Sequence, residues 1–194
     1  MTWLPLLSTI AGAVIAFAGS VVADQLRRRD TRHRYTYVER QAAYSEMVLA
    51  LGAGLEALRQ VANAEVSAQR RDTQARSAVG QAGVYVAREK ILMTASPGVV
   101  GASEAVFDGL IGIRDAVREG ARRRSPEFHV AYHRYAERMW ALRLAIRKDL
   151  HAEKFTAADL NRTDWDGETS CDVCRAVQAT AEPAVPSQTV PAGS

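Results

Sequence analysis

Cysteine and proline are scarce in this chain, and lysine is nearly absent from its basic residues. Cys171 and Cys174 are the only cysteines, too few for the disulfide framework on which small secreted domains depend. No proline falls between Pro5 and Pro97, so proline stops no helix across that span. No segment alternates polar and apolar residues with period two, which argues against a sheet. The Glu-x-x-His pair of a carboxylate-bridged di-iron bundle is missing: Asp30, Pro126, Val130 and Lys148 stand three residues before His33, His129, His133 and His151. Gly-x-Ser-x-Gly is missing too, and Gly80/Gly83 and Gly109/Gly112 sit within helical patterns rather than phosphate loops. These absences leave no recognisable catalytic machinery. No intrinsic catalysis and no cofactor are expected.

Charge is absent from Trp3 to Ala23 and dense immediately afterwards, where Arg27, Arg28, Arg29, Arg32 and Arg34 follow within eight residues. The uncharged stretch, at about 1.5 Å per residue, makes a helix of roughly 31 Å, close to the ~30 Å hydrocarbon core of a bilayer. A single transmembrane anchor over 1–26 with a basic juxtamembrane segment over 27–34 is therefore expected. Arginines behind the span and none before it place Met1 outside and the C-terminus in the cytoplasm. A cleaved signal peptide competes, since Val21-Val22-Ala23 resembles a cleavage site. It lacks a positive leader, however, and its apolar run exceeds the usual length. Trp3 is expected in the interfacial belt, with the arginines on anionic headgroups. Ser8, Gly12, Ala16 and Ser20 recur every four residues and form a candidate helix–helix seam, hence a possible homo-oligomer.

The rest of the chain has mixed charge, and the net +3 is set mainly by the segment beside the membrane. Nucleic acid is therefore not the expected partner. Arginine and alanine are abundant in the manner of a GC-rich genome, so neither is read as a functional signal.

From Tyr35 the pattern becomes amphipathic. Tyr44, Val48, Leu51, Leu55, Leu58 and Ala62 keep helical spacing. A second helix is expected from about Thr73 to Thr94 after a cap at Asp72 or Thr73. Its buried face could be Ala75, Ala78, Ala82, Tyr85, Glu89 and Leu92, or else Val79, Val86 and Met93. Ser96-Pro97-Gly98 breaks it, and Val106, Leu110, Ile113 and Val117 mark a third helix over about 99–119. Ser125-Pro126-Glu127 opens a fourth, with Phe128, Tyr132, Tyr135, Met139, Leu142 and Ile146 as its seam and Trp140 off that line. Leu55 and Leu142 should be buried and Arg143 should face water. The expected fold is all-α: the membrane helix continues into an antiparallel bundle of about four helices over 35–160, and a disordered tail follows over 161–194.

One constellation could carry chemistry. Cys171-Asp-Val-Cys174 has the spacing of half a zinc site or of a dithiol, and His129 and His133 lie one turn apart on the fourth helix. Together they are a candidate metal set. The spacing matches no familiar zinc module, and the cysteines fall in the expected tail, so thiols of no special role are the simpler reading. Haem attachment is excluded because Arg175 stands where histidine is needed.

The anchor followed by Arg27-Arg-Arg29, Ala43-Tyr-Ser-Glu-Met47, Ser96-Pro-Gly-Val-Val100 and Trp140-Ala-Leu-Arg-Leu-Ala-Ile-Arg-Lys-Asp-Leu150 resemble a group of small membrane-anchored helical proteins of actinobacteria. That group is mostly without assigned function, and some members come from conjugative plasmids. The resemblance spans roughly residues 1–155 and implies a single-pass architecture with no active site to carry over. The expected function is a membrane-tethered interaction or scaffold protein with a bilayer and an unknown cytoplasmic protein as partners. The alternatives are a metal or thiol sensor using the cysteines, and an accessory of plasmid transfer or spread.

Overall fold

A computed structural model describes residues 4–162, 164, 165 and 167–181; the side chains of 4–24, 26, 28–34 and 177–181 are outside the description. The described residues are all-α, without strands. Helix α1 runs Leu4–Asn63, α2 Ala68–Gln81, α3 Val84–Thr94, α4 Pro97–Arg118, α5 Pro126–Asp149 and α6 Asp172–Ala181, with a 3-10 turn at Ala158–Leu160. The chain divides into two compact units, 1–42 and 43–194.

In the first unit the described backbone is helical, and Tyr35, Tyr37 and Val38 are exposed. Among the described residues no helix is long and apolar enough to cross a membrane. Trp3, the side chains of Ser8, Gly12, Ala16 and Ser20, and those of Arg28, Arg29, Arg32 and Arg34 lie outside the described residues, whereas Arg27 is exposed.

The second unit holds one core. Tyr44, Leu51, Leu55, Leu58 and Ala62 of α1 are buried, as are Val106, Leu110, Ile113 and Val117 of α4 and Phe128, Tyr135, Met139 and Leu142 of α5. Each set repeats at three or four residues because that spacing returns to one side of a helix. Helix α4 packs along α5, and both α2 and α3 pack against α4. The buried Tyr135 hydroxyl donates to the Leu51 carbonyl at 3.1 Å, and the Tyr44 hydroxyl to Asp149 at 2.5 Å, so α1 is tied to α5 at both points. Arg88 and Glu104 pair in two contacts of 2.7 and 2.6 Å between α3 and α4, and Arg118 reaches Asp72 at 2.6 Å between α4 and α2. These pairs are partly solvated and fix orientation more than stability.

The expected second helix is two. Gly83 adopts φ 74, a left-handed conformation that breaks the turn between α2 and α3. The phase is reset there. Val84, Ala87 and Ile91 are buried in α3, while Tyr85, Val86, Leu92 and Met93 are exposed, so neither expected seam continues past Ala82. Helix α1 ends at Asn63, and Ser67, whose hydroxyl accepts from the Arg70 amide at 3.4 Å, caps α2 instead of Asp72 or Thr73. Helix α4 closes with Gly120 at φ 112 and a bond from the Ala121 amide to the Ala116 carbonyl at 2.9 Å. Arg143 is half-buried, with its guanidinium 4.5 Å from the Trp140 ring centroid, rather than facing water.

Candidate metal centre

Helix α5 begins as the sequence dictates. The Ser125 hydroxyl accepts from the Phe128 amide at 3.4 Å, Pro126 occupies the first turn, and the Ser125 hydroxyl and the Glu127 amide hold the Glu127 carboxyl below its ordinary range. Phe128 is then fixed in the core, and the histidines at 129 and 133, one turn apart, share the neighbouring face. His129 is half-buried and His133 buried, their ring centroids 6.0 Å apart. The Tyr132 ring packs edge-on against His133 at 5.4 Å.

The cysteines arrive on α6. Helix α5 closes with His151 at φ 53 and a bond from the Ala152 amide to the Arg147 carbonyl at 2.9 Å, which turns the chain back. Phe155 and Trp165 then gather on Trp140, with ring centroids 6.1 and 4.8 Å from it and 6.0 Å from each other. One carboxylate organises the next loop. Asp164 accepts from the Gly167 amide at 2.7 Å, from the Thr169 amide at 3.0 Å and from the Thr169 hydroxyl. Gly167 takes the left-handed φ of 77 that this turn requires. The loop delivers Cys171 to the residue before α6 and Cys174 to its first turn, and α6 packs against α5.

The outcome is a four-residue cluster. The ligand atoms of His129, His133, Cys171 and Cys174 all lie within 4.8 Å of one another, and His129 Nδ1 is 3.1 Å from Cys171 Sγ. Tetrahedral zinc, with bonds of about 2.3 Å to sulfur and 2.0–2.1 Å to nitrogen, sets its ligand atoms roughly 3.3–3.8 Å apart. Small side-chain rotations would therefore close this cluster on a cation. Burial pushes the Cys171 thiol up, but the Cys174 amide, His133, the Cys174 side chain and His129 together outweigh it and bring it down to about 6. The thiolate is the metal-binding form of cysteine. The Thr169 hydroxyl and amide, the Gly167 amide and the charge of His133 hold Asp164 below the usual carboxylate range.

The structure thus brings together all four candidate ligands named from the sequence. It also places an ordered helix, Asp172–Ala181, within the stretch where disorder is expected; 182–194 lie outside the described residues. Asp164, Phe155 and Trp165 carry no role in the sequence reading. Their signals are present all the same: Asp-x-x-Gly is a turn pattern, and tryptophan is out of place in a solvated tail. No family model, no curated protein and no solved structure matches this chain.

Proposed function

We propose that this chain is a membrane-tethered interaction module whose C-terminal helix is latched by a metal ion. His129, His133, Cys171 and Cys174 hold a divalent cation of the zinc class and fasten α6 to α5. The observation that carries this reading is the convergence of four donor atoms within 4.8 Å from two elements distant in sequence. Two thiolates and two imidazoles select zinc over magnesium or calcium, which prefer oxygen. Four protein ligands fill a tetrahedral shell and leave no position open for an activated water, so the role is structural or regulatory rather than catalytic.

The tether rests on the uncharged Trp3–Ala23 stretch and the arginines behind it. The resemblance to anchored helical proteins of actinobacteria supports assembly of a cytoplasmic partner at the bilayer surface. Reporter fusions at Ser194 test this arm: activity from a cytoplasmic reporter supports it, and activity from an exported reporter alone rejects it.

The metal arm is tested on the purified full chain by elemental analysis and by cobalt substitution. One zinc per chain is expected, with tetrahedral thiolate absorption for the cobalt form, and Cys174→Ser should lose both. Failure to retain stoichiometric zinc, or equal retention by Cys174→Ser, would reject the latch.

A further inference from the structure

A second candidate site uses residues outside the metal ligand set. A half-open hollow of about 250 Å³ runs between α1, α5 and the loop carrying Arg162 and Trp165. Its charge is one-sided: Arg59, Arg143 and Arg162 line it, and no aspartate or glutamate stands among the described lining residues. Three guanidiniums facing one hollow repel one another. The ion pair recorded for Arg59, to Glu56, is 3.7 Å long, beyond hydrogen-bond length.

The arginines are also held in a particular way. The Arg59 guanidinium lies 5.0 Å from the Tyr132 ring centroid, and those of Arg143 and Arg162 lie 4.5 and 5.5 Å from the Trp140 centroid. Stacking occupies the flat faces of a guanidinium and leaves its in-plane N–H groups for an acceptor. Trp140 and Trp165, their rings tilted 38° to each other with centroids 4.8 Å apart, supply aromatic surface, and Gly52 stands at the exposed edge with nothing within 4 Å of where a side chain would begin. Burial raises the Tyr135 hydroxyl above its ordinary range, and the charges of Arg143 and Arg59 oppose that rise. Both cations are therefore felt at the floor of the hollow.

We infer that this hollow binds a compact organic anion, a carboxylate or phosphate carried on a flat apolar body, with Arg59, Arg143 and Arg162 on the anionic head and the tryptophans on the body. A volume of about 250 Å³ is at the small end for ligand sites and suits a single ring with its charged group.

Phenyl phosphate is the probe, inorganic phosphate the comparison, and tryptophan fluorescence with calorimetry on the full chain in neutral detergent the readout. Saturable binding of phenyl phosphate, about tenfold or more tighter than inorganic phosphate, is expected. Arg143→Met should weaken it by about tenfold or more, and Arg124→Met, in the exposed α4–α5 connection, should leave it unchanged. Gly52→Phe plugs the hollow from the solvent side without touching the core, and should abolish binding while helicity and melting are kept. Absence of saturation up to about 10 mM overturns the site. So does equal binding of the two phosphates, or undiminished binding by Gly52→Phe. Zinc content is measured on each variant, and zinc retained at the wild-type level separates this outcome from that of the metal latch.

Discussion

A methyl group on Gly109 would lie 3.2 Å from the Cα of Tyr135. Helices α4 and α5 therefore approach backbone to backbone, and glycine at 109 is what permits it. Gly112, one turn along, has nothing within 4 Å and is exposed. The two glycines separate helix propensity from packing. Gly112→Ala should gain up to about 1 kcal/mol from propensity. Gly109→Ala should lose about 1–3 kcal/mol despite the same gain, because the obstacle is backbone. Urea unfolding followed by circular dichroism reads both, and equal gains would mean the helices are further apart.

Tyr135 predicts an alkaline limb. Its folded pKa is raised above the ordinary 10.0 by burial, so it favours the folded state fully below pH 10 and loses that contribution as pH rises toward the folded value. Tyr135→Phe removes the bond to the Leu51 carbonyl, at a cost of about 0.5–1.5 kcal/mol at neutral pH. The variant should also flatten the stability profile above pH 10. A profile identical to wild type there would dissociate the hydroxyl from the core.

Removing the metal should loosen one region only. With a strong chelator, amide exchange in 167–176 should accelerate by about tenfold or more, while that of α4 and the middle of α5 stays slow. Uniform acceleration would indicate that the cation supports the whole bundle instead of α6.

Asp164→Asn leaves the Gly167–Thr169 turn with one acceptor oxygen in place of two. Zinc affinity should fall by about tenfold or more, because this turn delivers Cys171 and Cys174. Competition against a colorimetric chelator measures it, and an unchanged affinity would show that the cysteines reach the histidines without that turn.

His151 ends α5 in a left-handed conformation, φ 53, where glycine is at ease. His151→Gly should raise the melting temperature, gaining up to about 1 kcal/mol, because relief of the left-handed conformation exceeds the extra freedom glycine gives the unfolded chain. A loss instead would show that the imidazole makes a contact worth more than the backbone strain.

The fold was legible wherever one residue type dictates one geometry. Ser125-Pro126-Glu127 announces α5, and the seams through Leu51, Leu110 and Leu142 identify the buried faces directly. Gly83 was not read as a break because glycine within a helical pattern commonly costs stability without ending the helix, and only its left-handed φ distinguishes it. The four candidate ligands could be grouped as one set, but their contact could not be derived. Helical spacing pairs His129 with His133, and Cys-x-x-Cys pairs the thiols, yet no local rule brings residues 42 apart into contact. That junction depends on the Asp164 turn and on Trp165 seating against Trp140, both contingent on where the chain returns after α5. The Arg59–Arg143–Arg162 hollow escaped for a related reason: three arginines among many have no sequence period to mark them.

The division of the ligand set has a thermodynamic corollary. Each helix alone offers two donors, a weak chelator, and high affinity arises only when the second pair is present at the effective concentration set by the intervening chain. Once His129 and Cys171 are joined, a loop of 42 residues is closed. Cross-linking a loop of that size removes on the order of 4 kcal/mol of freedom from the unfolded ensemble, by the same chain statistics that govern a disulfide. The clip therefore acts on the disordered chain as much as on the folded one. Unlike a disulfide, a zinc clip at this site would open as free zinc falls, and folding of the C-terminal segment would then follow metal supply.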